Sequence, residues 1–146
     1  MTMKNKKSLT FIITLMLSVF CATAVDAQTL YDSNNKLIAT VNTDGTIRSQ
    51  YGQLLGSIDE SGVIWDGYHQ KMGRFDGPNT IRDQYERTIG VIDNDGSITN
   101  GPRRPVGKIT KKGKVIGAGG FVVGYAKDVD RRITAVFFFT DFFQHR

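Results

Sequence analysis

The chain has little of what most site chemistry requires. Its 146 residues hold one cysteine (Cys21), one tryptophan (Trp65) and two histidines (His69 and His145). Cys21 lies in a stretch read below as a removable leader, so thiol catalysis and cysteine-ligated zinc go with it, and the mature domain is held by packing without disulfides. Zinc needs more ligands than two histidines supply. A Ser-His-Asp triad has only His69 to build on, with no Gly-x-Ser-x-Gly elbow, and a lone loop histidine reads as a surface residue. No metal and no cofactor is implied. After residue 27 no run approaches the roughly 18 apolar residues of a membrane helix, so no transmembrane segment is expected in the mature chain. With 40% hydrophobic and 23% charged residues, the chain is neither a disordered tail nor a coiled coil.

What is present at the N-terminus is a three-part export pattern. Lys4, Lys6 and Lys7 form a positive start, Leu9 to Phe20 an apolar run, and Val25 and Ala27 a small-residue cleavage site. Phe20 precedes Cys21 where a lipoprotein needs a small residue, so cleavage without lipidation is expected. The chain then divides into a signal peptide, residues 1–27, and a single repeat domain, residues 28–146, exported to a periplasmic or extracellular location. The formal charge of +5 falls to +3 once Lys4, Lys6, Lys7 and Asp26 are removed. That surplus is too small and too dispersed for nucleic acid, which requires a concentrated basic face.

The mature region repeats every 17 residues. Gly56, Gly73, Gly90, Gly107 and Gly124 stand in phase, with Ala39 one period earlier. Each follows an apolar residue: Ile38, Leu55, Met72, Ile89, Val106 and Val123. Eight positions after Ala39 and the glycines come Ile47, Ile64, Ile81, Ile98 and Val115. Between the two apolar positions lie turn phrases such as Asn42-Thr43-Asp44-Gly45 and Asp93-Asn94-Asp95-Gly96, the pattern of a type I turn closed by a left-handed residue. Asn79 replaces that Gly in the third copy and is expected to take positive φ. Each unit is then a hairpin with cross-strand apolar pairs Val41–Ile47, Ile58–Ile64, Phe75–Ile81, Ile92–Ile98 and Ile109–Val115. Strand alternation places each Gly on that face and the preceding apolar residue on the other. The glycines are read as room for a large side chain of a neighbouring unit. The sixth copy decays at Asp130, and Leu30 enters as half a unit. The run Ala135 to Phe143 does not alternate, so it reads as a strand covered on both sides. The expectation is an all-β domain of five or six 17-residue hairpin units, arranged radially or stacked and closed by a C-terminal Phe-rich strand.

The phrases Leu55-Gly56-Ser57-Ile58 with Ser61-Gly62-Val63-Ile64, and Ile89-Gly90-Val91-Ile92 with Asp95-Gly96-Ser97-Ile98, resemble those of the five-fold beta-flower family of small exported proteins. The resemblance runs from about Leu30 to Val115. It implies five hairpins arranged radially, and it carries no activity and no functional residues. Single units are also similar to WG-type and choline-binding wall repeats, but both need recurrent tryptophan and Trp65 stands alone.

The candidate functional residues fall into three groups. Asp93-x-Asp95-Gly96 has the look of a calcium loop, but Arg104 stands where a bidentate Glu is needed, and Asp is what a type I turn prefers. Paired carboxylates for glycoside hydrolysis are available among Asp59, Glu60, Asp76, Asp93 and Asp95, yet in solvent-washed turns. Arg103, Arg104, Lys108, Lys111, Lys112 and Lys114 concentrate positive charge in one repeat, read either as an edge-protecting strand or as a site for an anionic glycan. Tyr51, Tyr68 and Tyr85 recur at 17-residue spacing in what read as longer, variable connections, and Trp65 stands near them. A repeating architecture favours inter-unit packing for these rings; the other reading is a platform for sugar rings. The binding candidates are therefore Tyr51, Tyr68, Tyr85, Trp65, His69, Arg103 and Arg104, of which Tyr51, Tyr68, Tyr85, His69 and Arg103 are expected to gather at one end, with no catalytic residue. The expected role is a non-catalytic binding module of the cell envelope for a glycan or anionic envelope polymer. The alternatives are a structural protein docking a partner through its Phe-rich tail and a cryptic glycoside hydrolase.

Overall fold

The computed structural model describes residues 27–143. The leader reading lies outside the described residues apart from Ala27. Twelve short strands follow in order: β1 (Gln28–Asp32), β2 (Leu37–Val41), β3 (Thr46–Ser49), β4 (Leu54–Ile58), β5 (Val63–Asp66), β6 (Lys71–Asp76), β7 (Thr80–Asp83), β8 (Thr88–Ile92), β9 (Ser97–Asn100), β10 (Pro105–Ile109), β11 (Lys114–Gly117) and β12 (Val122–Lys127). Each pairs antiparallel with the next, and β1 pairs with β12, so the sheet closes into a barrel with no free edge.

The five expected cross-strand pairs all form, from Val41↔Ile47 to Ile109↔Val115. The same pairing recurs a sixth time as Leu30↔Ala126. The half unit at the start and the decayed copy at the end are thus two halves of one hairpin, and the ring is closed by joining the chain's own ends. Five units are continuous in sequence and the sixth is assembled from both ends.

Five of the six apolar residues that precede the repeat positions do not sit on the outer face, as simple alternation requires; the sixth, Val123, is exposed. All six pairings between units carry a β-bulge, whereas the pairings within units keep register. In β3–β4, for example, Ile47 pairs with Gly56 and Arg48 with Leu54, leaving Leu55 as the extra residue. An inserted residue breaks the two-residue alternation and re-aims the side chain. Ile38, Leu55, Met72, Ile89 and Val106 accordingly pack against the core.

The turns hold the ring in register. In the first unit Gly45 adopts φ 85° and donates its N–H to Asn42 O at 3.0 Å, as a type I turn with a left-handed closing residue requires. Its carbonyl then accepts the N–H of Ile58 in the next unit at 3.0 Å, and Gly62, Gly96 and Gly113 do the same for Phe75, Ile109 and Ala126. The third turn departs from expectation: positive φ falls on Gly77 (65°) rather than on Asn79. Pro78 fixes its own φ and restricts the residue before it, and Gly77 absorbs the constraint. Asn79 keeps only the inter-unit role, accepting from Ile92 N at 2.8 Å.

The Phe-rich segment is not a strand. Arg131–Phe139 form a helix, α1, whose start is capped by the Asp130 side chain accepting from Arg132 N. Closure by β1 and β12 leaves no sheet position for another strand, and a twelve-stranded barrel has a lumen wide enough to need filling. Thr134, Ala135 and Val136 are fully buried in it, and Phe142 and Phe143 are buried beyond the helix end. Non-alternating hydrophobicity here marks an element surrounded on all sides. The glycines receive these rings: a Cβ on Gly56 would meet Phe143, on Gly73 Phe142, on Gly107 Phe139 and on Gly124 Phe138. At these four positions the large side chains that need the space come from the C-terminal plug; at Gly90 the side chain met is instead Ile81 of the adjacent hairpin, at 3.3 Å.

Candidate functional site

The connections between units, expected to be long and variable, are turns of the same kind as those within units. Residues 32–36, 49–53, 66–70, 83–87, 100–104 and 117–121 each make the same pair of backbone hydrogen bonds, such as Asp66 N to Gln70 O at 2.9 Å and His69 N to Asp66 O at 3.2 Å. The first residue supplies its side chain as a second lock. Asp66 Oδ1 accepts from Tyr68 N and Gln70 N, and Asp83 Oδ1 from Tyr85 N and Arg87 N, all at 2.9–3.0 Å. Ser49 Oγ does the same for Tyr51 N and Gln53 N. The three tyrosines therefore occupy one turn position on three consecutive turns, held by their backbones, with their rings outward. They are 84%, 77% and 70% exposed, so inter-unit packing is not their role. Phe121, on the sixth turn of this rim, is exposed as well.

The left-handed position of these turns carries Gly52 and Gly120 in two units but His69 (φ 65°), Glu86 (φ 62°) and Arg103 (φ 62°) in three others. Side chains rarely hold this backbone conformation without cost. Two predicted site residues, His69 and Arg103, stand on it, and the exposed Arg104 follows in the same turn. Trp65 is separate from the rim proper: it lies on the outer wall, donates Nε1–H to Asp59 Oδ2 at 3.1 Å, and stacks on His69 at 5.7 Å between ring centroids. Hydrogen bonds from Ser61 and then Trp65 hold the Asp59 carboxyl below its ordinary range.

The tertiary structure adds a cleft that sequence reasoning missed. It has a volume of about 740 Å³ and opens at the rim between the turn of residues 83–87 and the end of α1. Met72, Ile89, Phe138 and Phe142 are among the apolar residues lining it, with Tyr85 and Arg87 at its edge. Arg87 Cζ lies 5.3 Å from the Tyr85 ring centroid, and Arg87 Nε donates to Asp83 Oδ2 at 2.7 Å. Burial pushes the Asp83 carboxyl up, but the hydrogen bonds from Arg87 and Tyr85 outweigh it and the net displacement is downward. Asp83 is thus held as a carboxylate that orients Arg87. The only signal in the sequence was the Phe-rich tail, whose placement depends on closure of the barrel.

The remaining acidic candidates serve turns and wall. Asp95 accepts the backbone N–H and hydroxyl of Ser97, which uses the oxygens a calcium loop would offer. On the outer wall Arg74 and Arg82 stand directly opposite, an unfavourable pairing offset by Glu86 on Arg74 and Asp76 on Arg82, each at 2.7 Å. Among the described residues no helix is long and apolar enough to cross a membrane.

Comparison with known proteins gave one match. A family model described as 5-fold beta-flower protein matches residues 27–144. No curated protein and no solved structure matches significantly.

Proposed function

The chain belongs to the 5-fold beta-flower family, and from that premise and the rim geometry we propose that it is an exported, non-catalytic binding module that recognises an envelope glycan through its tyrosine-bearing end. The observation that carries the reading is the exposure of Tyr51, Tyr68 and Tyr85 on consecutive turns whose backbones are secured independently of the rings. Aromatic faces of this kind stack on the apolar faces of sugars, and Tyr with Arg is the usual composition of a binding hot spot. The adjoining cleft, with apolar lining and the Tyr85–Arg87 pair at its edge, offers a place for one end of the ligand. Export is supported by the three-part leader, and mass spectrometry of the mature protein is expected to give an N-terminus at Gln28.

A second role, docking through the Phe-rich tail, has less support because Phe142 and Phe143 are buried among barrel residues. A hydrolase reading has less support too, because Asp83 is ion-paired and displaced downward where a general acid needs the opposite. The test is a soluble glycan panel with the wild-type protein and with Tyr51→Ala, Tyr68→Ala and Tyr85→Ala. Binding lost while melting is unchanged supports the site; absence of binding to every glycan by the wild type overturns it.

A further inference from the structure

A second groove, of about 840 Å³, extends from the fifth intra-unit turn and the start of α1, at the end opposite the tyrosine rim, along the β1–β12 seam to Asn35 in the turn of residues 32–36. Its lining includes Lys111, Lys112, Lys127 and Arg131 together with Tyr31 and Tyr125. The two tyrosines are direct partners across the seam, Tyr31↔Tyr125, and so stand side by side on the same face of the sheet. Asp128 is the one carboxylate in the lining. Among the described residues none of the four cations takes part in an ion pair; Arg131 Nη1 donates to Asn94 O at 3.2 Å. Four cations with one carboxylate beside paired aromatic rings are suited to a ligand that is both anionic and ring-shaped.

The rest of this end decides what kind of anion fits. The first four intra-unit turns carry Asp44, Asp59, Glu60, Asp76, Asp93 and Asp95, so a long polyanion lying across the end meets repulsion outside the groove. A short one does not. The volume is also that of a small-ligand site rather than of a polymer track. We propose that this groove binds a short acidic oligosaccharide, its carboxylates on Lys111, Lys112, Lys127 and Arg131 and its sugar faces on Tyr31 and Tyr125. The proposal does not depend on Tyr51, Tyr68 or Tyr85, none of which lines this groove.

The experiment is calorimetric titration of the mature protein with di- to tetragalacturonate at two salt concentrations. Neutral maltooligosaccharides of matching length and a short single-stranded DNA serve as controls. Galacturonate is expected to bind more weakly as salt rises, and the neutral sugars not to bind at this groove. The double variant Lys111→Glu/Lys112→Glu is expected to lose roughly tenfold or more in affinity, since two exposed attractions become repulsions. Lys127→Gln should lose less, and Lys71→Glu, on β6, should change affinity little. Melting curves for each variant identify any that fails to fold, in which case Lys127→Gln decides. Loss in Lys71→Glu equal to that in the groove variants means only net charge matters and overturns the proposal. So does absence of galacturonate binding, or equal affinity for the DNA.

Discussion

Two sets of residues recur at the same 17-residue interval, and the structure treats them oppositely. The glycines at 56, 73, 107 and 124 face the lumen and are met by phenylalanine rings of the C-terminal plug. The tyrosines at 51, 68 and 85 stand on the rim and are 70–84% exposed. Periodicity in a repeat protein therefore does not distinguish packing from presentation. The first set recurs because the wall must admit the rings of the plug at successive units. The second recurs because every turn offers the same outward position, and what fills that position is free to serve another purpose.

The largest effect expected from breaking this contrast is on the plug. Phe143→Ala should cost about 3–5 kcal/mol, the usual range for emptying a buried phenylalanine site, read by denaturant unfolding. A cost near that of a surface substitution would mean the lumen does not depend on the plug. Next is Gly56→Val, where a side chain would meet both Phe143 and the Trp65 carbonyl. Overpacking of that kind costs about 1–3 kcal/mol, whereas Glu60→Val on an exposed turn should stay within about 0.5 kcal/mol. Equal costs would remove the proposed role of the glycines.

Acid sharpens the comparison from the turns' side. Hydrogen bonds from Thr46 lower the Asp44 carboxyl, those from Arg82 lower Asp76, and those from Ser97 lower Asp95, all from an ordinary value of 3.8; Arg74 lowers Glu86 from 4.5. A carboxyl whose folded value is depressed contributes stability above its unfolded value and loses it as pH falls through the folded one. Melting temperature is thus expected to hold above pH 4.5 and to decline progressively below 3.8. A rise on acidification would show the turn carboxylates to be mutually repulsive instead. The smallest effects belong to the rim. Tyr51→Ala, Tyr68→Ala and Tyr85→Ala should each shift stability by no more than about 0.5 kcal/mol. Arg103→Gly should raise it by up to about 1 kcal/mol through relief of the left-handed backbone. A large loss in the tyrosine variants would return these rings to the core.

Much of the wall was legible. The 17-residue phase, the five cross-strand pairs and most of the turn glycines could be read because each depends on contacts within a few residues along the chain. The candidate site was legible only as positions: the tyrosines share a turn register, but their exposure depends on what lies over that end. Arg87, Asp83 and the cleft at the rim could not be foreseen, since the cleft exists only where α1 ends inside the ring.

The sequence by itself determined the hairpin unit, because turn chemistry and a local alternation of apolar residues are satisfied within each 17-residue copy. Only the tertiary structure decided the number of units in the ring, the inward turn of Leu55 and its equivalents at the bulges, and the helical state of Arg131–Phe139. Those three outcomes share one cause. Closure of β1 on β12 uses up the last sheet edge and encloses a volume that must be filled, and the chain end fills it by making its backbone hydrogen bonds internally, as a helix does and a strand cannot.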